Sequence, residues 1–105
     1  LIVEALHMLN YKTVQAADGN EALRLFDQHQ QDIKLAVLDM VMPCMSGREA
    51  ARRMRMSTPD LPIIFSTGHD KQDAMQEIHA FDHCTLHQKP FKVTHLSQDI
   101  LKLLG

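Results

Sequence analysis

The chain has 105 residues, 45% of them apolar and 23% charged, which is the composition of one globular domain with a core to bury rather than of a disordered segment. A net charge of −2 argues against a strongly basic nucleic-acid binder, and the absence of any long apolar run excludes a transmembrane helix. Two cysteines, Cys44 and Cys84, are too few for a disulfide scaffold. They fit a reducing compartment, and with no basic leader visible the expected location is cytoplasmic. The chain opens on Leu1 with neither an initiator Met nor a helix cap, and it reads as cut from something longer.

In chain order, Leu1, Ile2, Ala5, Leu6 and Leu9 lie at helical spacing, and Asn10 ends that helix. Tyr11 to Ala17 is short and rich in strand formers, which predicts a strand. Asp18-Gly19 is turn chemistry, Asn20 is a candidate cap, and Glu21 to His29 is an amphipathic helix with Ala22, Leu25 and Phe26 on one face. Leu35 to Leu38 is a continuous apolar run closed by Asp39, as expected for a strand covered on both faces. Met40 to Gly47 is a loop, Arg48 to Met56 a helix, and Leu61 to Ser66 a second buried strand ended by Thr67-Gly68. Asp70 to Ala80 is helical, Cys84 to Gln88 is a short strand broken by Lys89-Pro90, and Thr94 to Leu104 is the last helix. The strict alternation predicts a single α/β domain with a parallel sheet and right-handed crossovers.

Ligands of open parallel sheets bind at the carboxyl ends of the strands. Three such ends carry chemistry here: Asp39, Thr67 and Lys89. A carboxylate is a nucleophile for phosphoryl transfer. An ammonium and a hydroxyl stabilise phosphoryl oxygens. Any one of the three alone is an ordinary loop residue; the convergence of all three is what points to phosphoryl handling.

The segment LAVLDMVMPCMSG (Leu35 to Gly47) resembles the phosphoacceptor segment of response-regulator receiver domains. PIIFSTGH (Pro62 to His69), QKPF (Gln88 to Phe91) and AADGNEAL (Ala16 to Leu23) resemble other segments of the same family, and the resemblance spans essentially the whole chain. It implies a flavodoxin-like, doubly wound α/β fold. It implies Asp39 as phosphoacceptor, Thr67 and Lys89 as phosphoryl-binding groups, Thr67 as a switch residue, a cis bond before Pro90, and Gly68 as room beside the phosphate. A phosphohistidine on a histidine kinase or a phosphotransfer protein is the implied donor, and a signalling module rather than an enzyme is the implied role. Phosphorylation is expected to bias the surface around the fourth helix and fifth strand toward a second arrangement.

Mg²⁺ is the implied cofactor, held by Asp39, the Val41 main-chain carbonyl and an acidic pair. That pair is absent from this chain, as is the first, central strand that would end in it, together with the start of the first helix. Mg²⁺ binding is therefore expected to be weak or absent. The chain is expected either to be a piece of a longer protein or to close the gap by re-pairing or association, as in a homodimer. Leu86 occupies the second switch position, where the family often carries an aromatic residue. MSGREAA, STGH and QKPF look most like the terminal receiver of a hybrid sensor histidine kinase. A degenerate receiver that binds partners without taking phosphate is the alternative.

Other clusters read more plainly. His79, His83, Cys84 and His87 cross a helix end, a loop and a strand, so exposed histidines around a small buried thiol are expected rather than a zinc site. Arg48, Arg52, Arg53 and Arg55 read as a solvated helix face rather than a nucleic-acid patch. Met40, Met42 and Met45 read as loop packing, and His69 as a loop histidine near the phosphoryl site.

Overall fold

The structure, a computed structural model, describes residues 13–68, 71–89 and 92–104. Within them lie α1 (Gly19–Gln28), β1 (Ala36–Asp39), α2 (Gly47–Ser57), β2 (Ile63–Thr67), α3 (Lys71–Glu77), β3 (Cys84–Gln88) and α4 (Val93–Leu104). The strands form one parallel sheet in the order β1-β2-β3. Helices cover both faces, which is the doubly wound plan. The helix expected at Leu1–Leu9, His69 and the bond before Pro90 lie outside the described residues.

Local chemistry sets the helix ends. Asp18, not Asn20, caps α1: its Oδ1 accepts the Glu21 N–H at 2.9 Å, and its carbonyl takes the Ala22 N–H. Ser46 caps α2 through the Glu49 N–H at 3.1 Å. Each cap satisfies a donor that the first turn of a helix leaves orphaned. α3 stops at Glu77, three residues before the expected Ala80. There the Ile78 N–H is shared between the Ala74 and Met75 carbonyls, and the chain tightens into a turn.

Residue parity assigns the two faces of the sheet. Ala36, Leu38, Ile63, Phe65 and Leu86 point into the larger core, against Phe26 of α1, Ala50, Ala51 and Met54 of α2, and Ala74 and Ile78 of α3. The alternate residue Ile64 faces Leu96 and Ile100 of α4, with Val37 and Leu35 beside it. Ile63, Ile64 and Phe65 are fully buried, each contributing about 1.5–3 kcal/mol. This is why β2, flanked on both edges and covered on both faces, is apolar until Ser66.

One expected strand, Tyr11 to Ala17, does not appear among the described residues. Tyr11 and Lys12 lie outside the described residues, and residues 13–17 form no strand. A strand is held by a ladder, and β1 pairs only with β2 among the described residues. The neighbour that 13–17 would need is therefore absent from them, and strand-forming side chains alone do not make a strand. Nor does any described segment pair along the other edge of β1.

Candidate functional site

The register of the sheet builds the site. Asp39 closes β1 opposite Ser66, and Ser66 lies opposite His87. Thr67 follows on β2, opposite Gln88. The Lys89 N–H continues the ladder to the Thr67 carbonyl at 2.8 Å, and the Met40 N–H does so to the Ser66 carbonyl at 2.8 Å. Three strand ends are thereby fixed at one rim by main-chain bonds.

Asp39 and Lys89 meet there. Lys89 Nζ lies 2.5 Å from Asp39 Oδ2, and the other carboxylate oxygen accepts the Val41 N–H at 3.1 Å. The two side chains keep 46% and 34% of their surface exposed. So exposed a pair stabilises a fold by roughly 0–1 kcal/mol at most. Its value is positional: a nucleophilic carboxylate with a donor cation beside it, both open to an incoming anion. Thr67 is buried and joins this rim through its main chain. Leu86 is buried in the larger core, on the opposite face from Thr85 and His87.

The loop after Asp39 is pressed against the site. The Gly47 N–H donates to the Met40 carbonyl at 3.1 Å, and a Cβ at Gly47 would lie 2.2 Å from the Asp39 carbonyl oxygen. Only glycine permits that approach of α2 to the end of β1. Gly68 is different, since a Cβ there meets nothing within 4 Å. Met40 is buried, with Met42 and Met45 packed against the larger core, while Cys44 is exposed in a left-handed conformation at φ 71°.

Two expectations change. Arg55 is not on a solvated face. Its side chain is only 11% exposed and is directed across the molecule. The guanidinium donates to the carbonyls of Leu61, Asp82 and His83 and to Asp82 Oδ1, and it lies 5.6 Å from the Phe81 ring centre. Position 55 is one helical turn beyond the buried Ala51, and that spacing is the sequence signal for it. Arg52 and Arg53 do lie outward, both on Glu49, which they hold down to about 2 from its usual 4.5.

His87 is the second change. It is buried rather than exposed, and its Nε2 meets Asp99 Oδ2 on α4. His79 and His83 are exposed, as expected, while burial pushes the Cys84 thiol up. No group of three or more His, Cys, Asp or Glu side chains gathers to hold a metal among the described residues.

A family model described as the response regulator receiver domain matches residues 1–101. The chain belongs to this family. Receiver domains are signalling modules of two-component systems. Among similar proteins, sporulation initiation phosphotransferase F of Bacillus subtilis is 31% identical over 104 residues, covering 99% of this receiver and 82% of that protein. The sensor kinase CckA of Brucella abortus is 29% identical over 102 residues, 97% of this receiver but only 11% of the kinase. A receiver domain protein from Clostridium thermocellum superposes with a TM-score of 0.90 at 26% identity, covering 98% of this chain and 82% of that one. The receiver of the sensor histidine kinase PA1611 from Pseudomonas aeruginosa, whose structure holds a magnesium ion in its active-site cleft, gives 0.83 at 27% identity, covering 99% and 85%. Among the described residues of this receiver, no helix is long and apolar enough to cross a membrane.

Magnesium prefers six oxygen ligands in octahedral array. Here the described residues offer one carboxylate, Asp39, already shared with Lys89 and the Val41 N–H, and the main-chain carbonyl of the exposed Val41. That set does not fit a resident Mg²⁺.

Proposed function

We propose that this receiver takes a phosphoryl group from a phosphohistidine onto Asp39, within a phosphorelay. The observation that carries the reading is the contact of Lys89 with Asp39, made from separate strands at a solvent-reachable rim. An Asp39 carboxylate oxygen attacks phosphorus, the P–O bond forms as the P–N bond breaks, and the imidazole leaves to recover its proton from water. Lys89 turns from the carboxylate to the phosphoryl oxygens, where its charge offsets theirs. Thr67 supplies a hydroxyl at the same rim and, with Leu86, occupies the switch positions. The donor is a histidine kinase or a histidine phosphotransfer protein. The resemblance to PA1611 and CckA supports a place beside a hybrid kinase, and the module itself performs no metabolic reaction.

Beryllofluoride titration of a full-length version with Mg²⁺, followed by amide NMR, tests this. Shifts at Asp39, Thr67 and Lys89 are expected. Flat spectra at those residues would reject phosphoryl acceptance and support the second reading, a degenerate receiver that binds partners without phosphate. Among the described residues Asp39 is the one carboxylate at the rim, which favours that second reading for the chain as given, while the trio of Asp39, Thr67 and Lys89 argues against it. Mg²⁺ affinity, weak or absent by our reading for this chain, separates the two further.

A further inference from the structure

Leu86 is buried in the larger core, so an aromatic rotamer at this position does not link the rim to the rest of the molecule. A different connection is built on the other face of the sheet. Asp39, Ser66 and His87 are successive partners across β1, β2 and β3. Parallel neighbours in register point to the same face, and strands lie about 4.8 Å apart, so the three form one polar row. Its far end does not stop at solvent. His87 Nε2 meets Asp99 Oδ2 on α4, and the Thr85 hydroxyl donates to the same oxygen at 3.2 Å. Thr85 and His87 alternate along β3, and Lys89, just past its end in the same alternation, reaches back to Asp39. One face at the end of β3 thus holds the rim with Lys89 and α4 with His87.

His87 is 9% exposed and its carboxylate partner half-buried, so the contact works in a medium where charge is poorly screened. Elsewhere α4 is held to the sheet by Leu96 and Ile100 against Ile64. A cavity of about 370 Å³ lies beside the contact, lined by His87, Lys92, His95, Gln98 and Asp99 among others.

We infer that His87 is a positioning residue that couples the charge at Asp39 to the placement of α4, through Asp99 and Thr85. This rests on the proposed phosphoryl acceptance for its trigger, but the coupling itself needs only a change of charge at position 39.

The experiment reads α4 amide shifts, Ser97 to Leu101, in two arms. In the first, Asp39→Asn is compared with the natural chain without any phosphoryl analogue; α4 amides shift. In the second, beryllofluoride is added to the natural chain and to His87→Leu. The rim amides respond in both, and the α4 response falls by at least half in His87→Leu and recovers in part in His87→Gln, which keeps a donor. Asp99→Asn, which conserves shape, gives the same loss and serves if His87→Leu does not fold. An α4 response that survives both His87→Leu and Asp99→Asn overturns the inference, as does a silent α4 in Asp39→Asn. A rim blind to beryllofluoride, with Asp39→Asn still felt on α4, rejects phosphoryl acceptance and supports the coupling.

Discussion

The Lys89 ammonium sits 2.5 Å from the Asp39 carboxylate across 50 residues of sequence, yet both side chains remain open to solvent. Such a pair is a poor source of stability and a good anion receptacle. Lys89→Met is expected to change unfolding free energy by less than ~1 kcal/mol while slowing phosphoryl acceptance by about 10²-fold. Urea unfolding and labelling from a small phosphodonor measure the two. A large loss of stability with unchanged labelling would reverse the assignment.

Gly47 carries the opposite expectation. A methyl group there meets the Asp39 carbonyl oxygen at 2.2 Å, and main chain on both sides cannot yield cheaply. Gly47→Ala should destabilise by about 1–3 kcal/mol and disturb amides at the end of β1. An unchanged urea midpoint would show that α2 slides without cost.

Arg55 is predicted to resist its conservative replacement. Three carbonyls and one carboxylate share its guanidinium, and a lysine cannot present that fork. Arg55→Lys should cost about 1–3 kcal/mol by stranding acceptors, with amide shifts at Leu61 and His83. Denaturation equal to that of the natural chain would place Arg55 on the surface after all.

Glu49 supplies a pH test. Arg52 and Arg53 lower its pKa from 4.5 to about 2. A lowered carboxylate contributes stability above its unfolded value and loses it as pH falls through the folded one. Glu49→Gln should therefore be less stable than the natural chain at neutral pH. The gap should close between about 4.5 and about 2 and shrink in high salt, because the group is exposed. Thermal unfolding of both proteins across that range reads the difference.

The strands ending at Asp39 and Thr67 are legible because an apolar run that turns polar reports both burial and the point where burial ends. The Cys84–Gln88 strand matches its expected bounds. Residues 13–17 show the converse: a strand needs a neighbour, and composition does not reveal whether one is there. His87 and Arg55 are not legible as buried, because polarity in a sequence does not distinguish an exposed side chain from one with distant partners. His87 is paid for by Asp99 on another element, and Arg55 by loop carbonyls distant in sequence. Ser66 passed unnoticed beside Thr67, although register makes it the direct partner of Asp39.

Arg55 grips the chain where it enters β2, at Leu61, and where it enters β3, at Asp82 and His83. Asp39, Ser66 and Lys89 occupy the other extremity of the same strands. A fan fastened at its rivet opens widest at the tips. Strain introduced at the rim should likewise spread the strands least near the guanidinium and most at the acceptor.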